Sequence, residues 1–230
     1  MEILNNEIFG LFLTIAVYYF SLEVAKKIKN PLFNPLFITT VLIIVILKVF
    51  HIPLEYYDKG GNFVKFFLGP STVILALPLY RQLHLLKKHF LPIIIGVLVG
   101  AFTSLISVFI LGKLLHLDFQ VLISLLPKSI TTPIGISISE SYGGLVPLTI
   151  TAIVITGITG SISAPFVIKI AKIKNDVSKG IAIGTASHAV GTSKAIEMGE
   201  TIGAMSGLAI ALAGTFTALI MPIFSKLFLK

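Results

Sequence analysis

Apolar runs long enough to cross a bilayer recur along the whole chain, and they limit its fold more than any other feature. Residues 7–25, 35–50, 63–80, 91–112, 145–169 and 203–225 are dominated by Ile, Leu, Val, Phe, Ala and Gly. A hydrocarbon core of about 30 Å takes about 20 helical residues, and only 35–50 falls clearly short of that. In lipid every backbone polar group needs an internal partner, so runs of this kind fold as helices. Just 12% of the 230 residues are charged, against about a quarter in soluble domains. The expected fold is an all-α integral membrane protein, a polytopic helical bundle forming a single transmembrane domain over 1–230. Residues 1–90 are expected to be N-terminal scaffold spans, and 91–230 a core of two repeat units, about 118–175 and 178–230.

Charge sets the topology. The first run is followed, not preceded, by lysines (Lys26, Lys27, Lys29), which fits a retained span with an outer N-terminus better than a cleaved leader. The basic loop Arg81, His84, Lys87, Lys88 and His89 marks the inner side, and residues 51–62 with Glu55 and Asp58 an outer loop. The net charge of +8 therefore reflects topology and anionic lipid rather than nucleic acid. The expected location is the cell (plasma) membrane, with several passes.

Two segments, 119–142 and 178–200, are apolar runs diluted by hydroxyls, glycine and charge. If 119–142 crossed fully, Lys169, Lys172, Lys174 and Lys179 would lie outside, against the lysine rule. If it enters and returns on one side, they lie inside, and the re-entrant path is the expectation. Sliding the chain by 60 residues superposes Thr132 on Thr192, Ile136 on Ile196, Glu140 on Glu200, Gly143 on Gly203, Leu148 on Leu208 and Ile150 on Ile210. Lys128 then falls on His188. Each unit becomes a broken polar segment followed by an ordinary span. A re-entrant first segment makes the two units an inverted repeat, an arrangement found in secondary transporters.

The first segment contains "PKSITTPIGISISES" (127–141). Pro127 and Pro133 break helix, and the freed backbone groups need hydroxyls, water or a ligand at this depth. Ser129, Thr131 and Thr132 suit that role. A helix restarting near Pro133 would turn its N–H groups towards an anion, with Lys128 adding a full charge. A proline kink with Lys128 reaching the interface is the bland alternative, and it requires neither the lysine nor so many hydroxyls.

The second segment contains "GTASHAVGTSKAIEMGE" (184–200). Gly184 and Gly191 permit a break or a close approach. Thr185, Ser187, His188, Thr192 and Ser193 supply polar groups, and Lys194 a charge. Ionisable groups within a span cost about 2.5–3.5 kcal/mol on insertion scales, so His188, Lys194 and Glu197 imply water access or mutual pairing. Lys194 and Glu197 stand i,i+3 and can neutralise each other, a reading as good as a ligand role for Lys194. His188 is a candidate for proton coupling, with Glu197 second.

Other chemistries find little support. Cysteine is absent, no metal motif or phosphate-binding loop appears, and Ser187–His188 lacks a nucleophile elbow. No enzyme activity, metal or cofactor is expected. The small residues Gly199, Gly203, Gly207 and Ala211, and Gly96 with Gly100, form smooth helical faces for packing within the chain or in a homodimer.

The stretches "PKSITTPIG" (127–135) and "GTASHAVGTSKA" (184–195) together strongly resemble the LrgB/CidB family of bacterial membrane proteins, over about Gly69 to Pro222. The resemblance implies one of two functions. Relatives are described as antiholin-like regulators of murein hydrolase export and cell lysis, acting with a small holin-like (LrgA/CidA-type) membrane partner. A related plastid protein exchanges glycolate and glycerate, and some bacterial members are linked with pyruvate uptake.

The residues themselves favour transport of small monocarboxylates by alternating access, with the antiholin-like role as the alternative. In that reading Lys128 and the Ser129–Thr132 backbone take the carboxylate. Ser187, His188 and Thr192 take the second oxygen.

Overall fold

A computed structural model describes residues 5–28, 35–66, 80 and 83–228. Lys29, Arg81, Lys230 and residues 67–79 of the expected third span, including Gly69-Pro70-Ser71, lie outside them. The chain divides into two compact units, Met1–Ile74 and Leu75–Lys230.

In the first unit α1 (Glu7–Ile28) packs against α2 (Pro35–Val49) and α3 (Leu54–Phe66), around Val17, Ile43 and Leu47. The stretch expected as an outer loop is therefore largely helical. Gly10 of α1 lies against the backbone of Tyr57 and Gly60, and the Thr14 and Tyr57 hydroxyls meet at 3.0 Å. This backbone-to-backbone contact holds together a helix whose two glycines, Gly60 and Gly61, give it poor intrinsic propensity.

The second unit comprises α4 (Leu83–Lys88), α5 (Phe90–Leu114), α6 (Phe119–Leu125), α7 (Thr132–Ser141), α8 (Val146–Ile170), α9 (Asp176–Met198) and α10 (Glu200–Phe228). Among the described residues four helices, α1, α5, α8 and α10, are long and apolar enough to span a membrane, while α2 is shorter. The protein is an all-α, multi-pass membrane protein. Ile95 on α5 and Leu219 on α10 are more than half exposed, as lipid-facing side chains should be. The core runs between α5, α6 and α10, where Ile93, Val97, Leu105, Ile123, Met205 and Phe224 are buried.

Helices α6 and α7 form a hairpin. Leu122 of α6 lies beside Gly112 near the end of α5, and Ser129 meets Ser104, eight residues further back along that helix. The chain therefore enters antiparallel to α5. It then turns back: the Leu145 N–H donates to the Ser124 hydroxyl at 2.6 Å. Ten residues of α7 advance about 15 Å, so this contact just past its end is possible only if α7 returns alongside α6. Ser139, bonded to Thr149 at 2.7 Å, continues the antiparallel pairing into α8.

Helix α9 is two helices joined at His188, whose backbone (φ 43°, ψ −140°) is non-helical. Before the break Gly180 faces Ile202 and Met205, and Gly184 faces Ser206 and Ala209, so this half runs parallel to α10. After the break Thr192 meets Ser206 and Ile196 meets Gly203, so the second half runs antiparallel to α10. The two halves therefore also form a hairpin. Because α8 crosses between the two hairpins, they open on opposite sides. Gly203, on the smooth face of α10, is used within the molecule, under Ile196.

Candidate functional site

The turn between α6 and α7 is built by its prolines. Pro127 has no N–H to give. Lys128 N–H closes a tight turn onto Leu125 O at 3.1 Å, and Ile130 N–H one onto Pro127 O at 3.4 Å. Thr131 is extended and stands just before α7, its side chain making no capping bond, and the helix begins at Thr132 with Pro133 in its first turn. The turn directs Lys128 and Ser129 at the middle of α5. Lys128 Nζ donates to Ser129 Oγ at 3.0 Å, and Ser104 Oγ donates to the same oxygen at 3.0 Å. Ser104 is the fifteenth residue of the 25-residue α5, so the ammonium sits near mid-membrane depth. Among the described residues no carboxylate pairs with it.

A cavity of about 370 Å³ opens beside this lysine. Its walls come from three elements: Gly96, Gly100 and Ser104 on α5, Lys128 and Ser129 on the turn, and Thr185 on the first half of α9. A second, much smaller void of about 10 Å³ lies among Ser104, Ser129 and Thr185, enough for one water molecule. The Thr185 hydroxyl is buried and has no hydrogen-bond partner among the described residues, and a hydroxyl left so would cost about 1–3 kcal/mol. The methyl of Thr185 sits over Gly100, so the smooth face of α5 makes room for this threonine.

The second hairpin tip is held differently. His188 is buried over Gly157, its Nε2 lying 2.8 Å from the carbonyl oxygen of Ile153 on α8. Ser187 is seated against Gly160. Thr192 donates to His188 O at 3.0 Å and meets Ser206 Oγ at 2.6 Å. A non-glycine residue at the His188 backbone angles carries strain of about 1–3 kcal/mol, which these contacts must offset. The break falls on His188 itself. Gly184 lies against the Ser206 carbonyl of α10, and Gly191 against Ser187 and Ile183.

The cavity thus brings together Lys128 and Ser129. Thr131 and Thr132 are half-buried at the start of α7, while Ser187, His188 and Thr192 pack against α8 and α10. Lys194 and Glu197 pair with each other at 2.7 Å, Glu197 being well exposed. Ser104 was hidden in the sequence because it lies inside an ordinary apolar span, where only the spacing of Thr103, Ser104 and Ser107 hints at a polar stripe. Thr185 stands among the polar groups of its motif, and only the packing distinguishes it. Among the described residues no group of three or more His, Asp or Glu could hold a metal.

The model of the LrgB-like family matches residues 14–227. The chain is 36% identical to the antiholin-like protein LrgB of Bacillus subtilis (strain 168), over 99% of each chain. It is 38% identical to the antiholin-like protein LrgB of Bacillus cereus (strain B4264), over 94% of each. An uncharacterized Bacillus subtilis protein, YxaC, is 39% identical over 95% of each. No solved structure gives a significant match.

Proposed function

The chain belongs to the LrgB-like family, and from that premise we propose an antiholin-like role, restraining murein hydrolase export and cell lysis with a small holin-like membrane partner. One observation carries this reading: the likeness to proteins named antiholin-like extends over nearly the whole of both chains. Deleting the chromosomal copy is expected to raise extracellular murein hydrolase activity on zymograms and to speed autolysis. The tagged chain is expected to co-purify with a small multi-pass membrane protein. Unchanged hydrolase activity and autolysis in the deletion strain would overturn the proposal.

A second reading is favoured by one feature of the site. A half-buried ammonium with no counter-ion among the described residues lines a cavity large enough for a two- or three-carbon acid. In this reading the protein carries small monocarboxylates, of the glycolate, glycerate or pyruvate kind, by alternating access. Lys128 and Ser129 hold the carboxylate between the inverted hairpins, and His188 and Glu197 are the proton-coupling candidates. Uptake of radiolabelled glycolate and pyruvate into proteoliposomes holding only this chain tests it. Saturable uptake abolished by Lys128→Met supports the carrier. Absence of saturable uptake overturns the carrier and leaves the regulatory role standing.

A further inference from the structure

Several helical threonines satisfy their hydroxyls in one way. Thr39, Thr151, Thr192 and Thr215 each donate to the carbonyl four residues earlier, with O···O distances of 2.6–3.0 Å. That bond is the ordinary way for a hydroxyl to be satisfied where water is scarce. Thr185 lies within a helix and is only 7% exposed, yet its Oγ1 makes no such bond and has no partner among the described residues. It lines both the large cavity and the one-water void beside Ser104 and Ser129.

The neighbouring groups say what fits there. Ser129 Oγ already accepts from Lys128 and from Ser104, so its own proton is left to donate. The ammonium has protons to spare. A metal cation is disfavoured beside that charge, and an oxygen that accepts hydrogen bonds is favoured.

We propose that Thr185 is the specificity-determining residue of the cavity, binding the second oxygen of a 2-oxo or 2-hydroxy monocarboxylate whose carboxylate lies on Lys128. The proposal rests on the carboxylate-binding reading and adds to it the group that separates such acids from their plain counterparts. A hydroxyl both donates and accepts, so Thr185 serves a keto oxygen and an alcohol alike. The void beside Thr185 has room for about one water-sized group.

Equilibrium binding of tritiated pyruvate and propionate to the full chain in lipid nanodiscs tests this, since the two acids differ at the second carbon. The unsubstituted protein is expected to prefer pyruvate by about tenfold. Thr185→Val, which keeps the shape and removes the hydroxyl, should bring pyruvate down to the affinity of propionate and leave propionate unchanged. Thr185→Ser should retain the preference. If the valine variant does not fold, Thr185→Ala carries the same expectation. A preference that survives loss of the hydroxyl, or equal binding of both acids by the unsubstituted chain, overturns the role of Thr185 and leaves carboxylate binding intact. Binding of neither acid removes both.

Discussion

Replacing Lys128 by methionine separates a structural lysine from a functional one by the sign of the stability change. Placing an ammonium near mid-membrane costs about 2.5–3.5 kcal/mol on insertion scales. Methionine has similar length and no charge, so the substitution relieves this cost. What is lost is the bond from Lys128 to Ser129, a hydrogen bond to a charged group worth about 1.5–3 kcal/mol. Ser129 keeps its bond from Ser104, so its oxygen is not orphaned. No carboxylate is stranded either, because none pairs with Lys128 among the described residues. The difference leaves the variant between about 0.5 kcal/mol less stable and about 2 kcal/mol more stable. Equilibrium unfolding in bicelles, by steric trapping or denaturant titration, measures this directly. A loss of about 2 kcal/mol or more would mean that Lys128 holds the hairpin together, and the argument for a binding role would fail.

The hairpins predict a labelling pattern that the absence of native cysteine makes easy to read. Single cysteines at Asp118 and Glu140 should react with an impermeant thiol reagent from one side, and those at Lys174 and Glu200 from the other; labelling of 118 and 140 from opposite sides would rule out a re-entrant first segment. Two glycines give opposite results in thermal denaturation. A methyl at Gly184 would run into the Ser206 carbonyl, a backbone atom that cannot step aside, so Gly184→Ala should cost about 1–3 kcal/mol or more. At Gly61 a methyl meets only the Asp58 carboxylate at 3.9 Å, and Gly61→Ala should gain up to about 1 kcal/mol of helix propensity.

The broken segments were legible because backbone chemistry announces them. Pro127 and Pro133 disfavour a continuous helix, and the lysine rule applied to the basic loop after α8 favours a hairpin between α5 and α8. The position of the second break was less legible. Gly184 and Gly191 suggested it by composition, but a glycine can serve packing as well as turning. Here Gly184 admits the α10 backbone while the non-helical angles fall on a histidine. Nothing local in the sequence favours that, since the compensation comes from Ile153 and Gly157 on another helix. The cavity was legible on one wall only. Lys128 and Ser129 lie in a conspicuous motif, whereas Gly100 and Ser104 look like ordinary members of an apolar span until the tip of the hairpin is laid across them. Helix α3 was missed for the same reason, because its stability comes from Gly10 and Tyr57 meeting across two helices rather than from its own residues.

The ion pairs of the described residues sharpen the case for Lys128. Lys26, Lys179 and Lys194 each have a carboxylate three residues away on the same helix, and all three pairs are substantially exposed. Such pairs contribute little, because water already stabilises both charges. The lysine near mid-depth, where an uncompensated charge is most costly, bonds to the Ser129 hydroxyl and pairs with no carboxylate among the described residues. A fold selected for stability alone would show the reverse distribution, with its acids placed against the deepest cation. Thr185 also lacks the carbonyl bond that Thr39, Thr151, Thr192 and Thr215 make, and it lies at the same cavity. Lys128 and Thr185 line the same cavity, and an anion with oxygen atoms bound there, as proposed, would give both a partner.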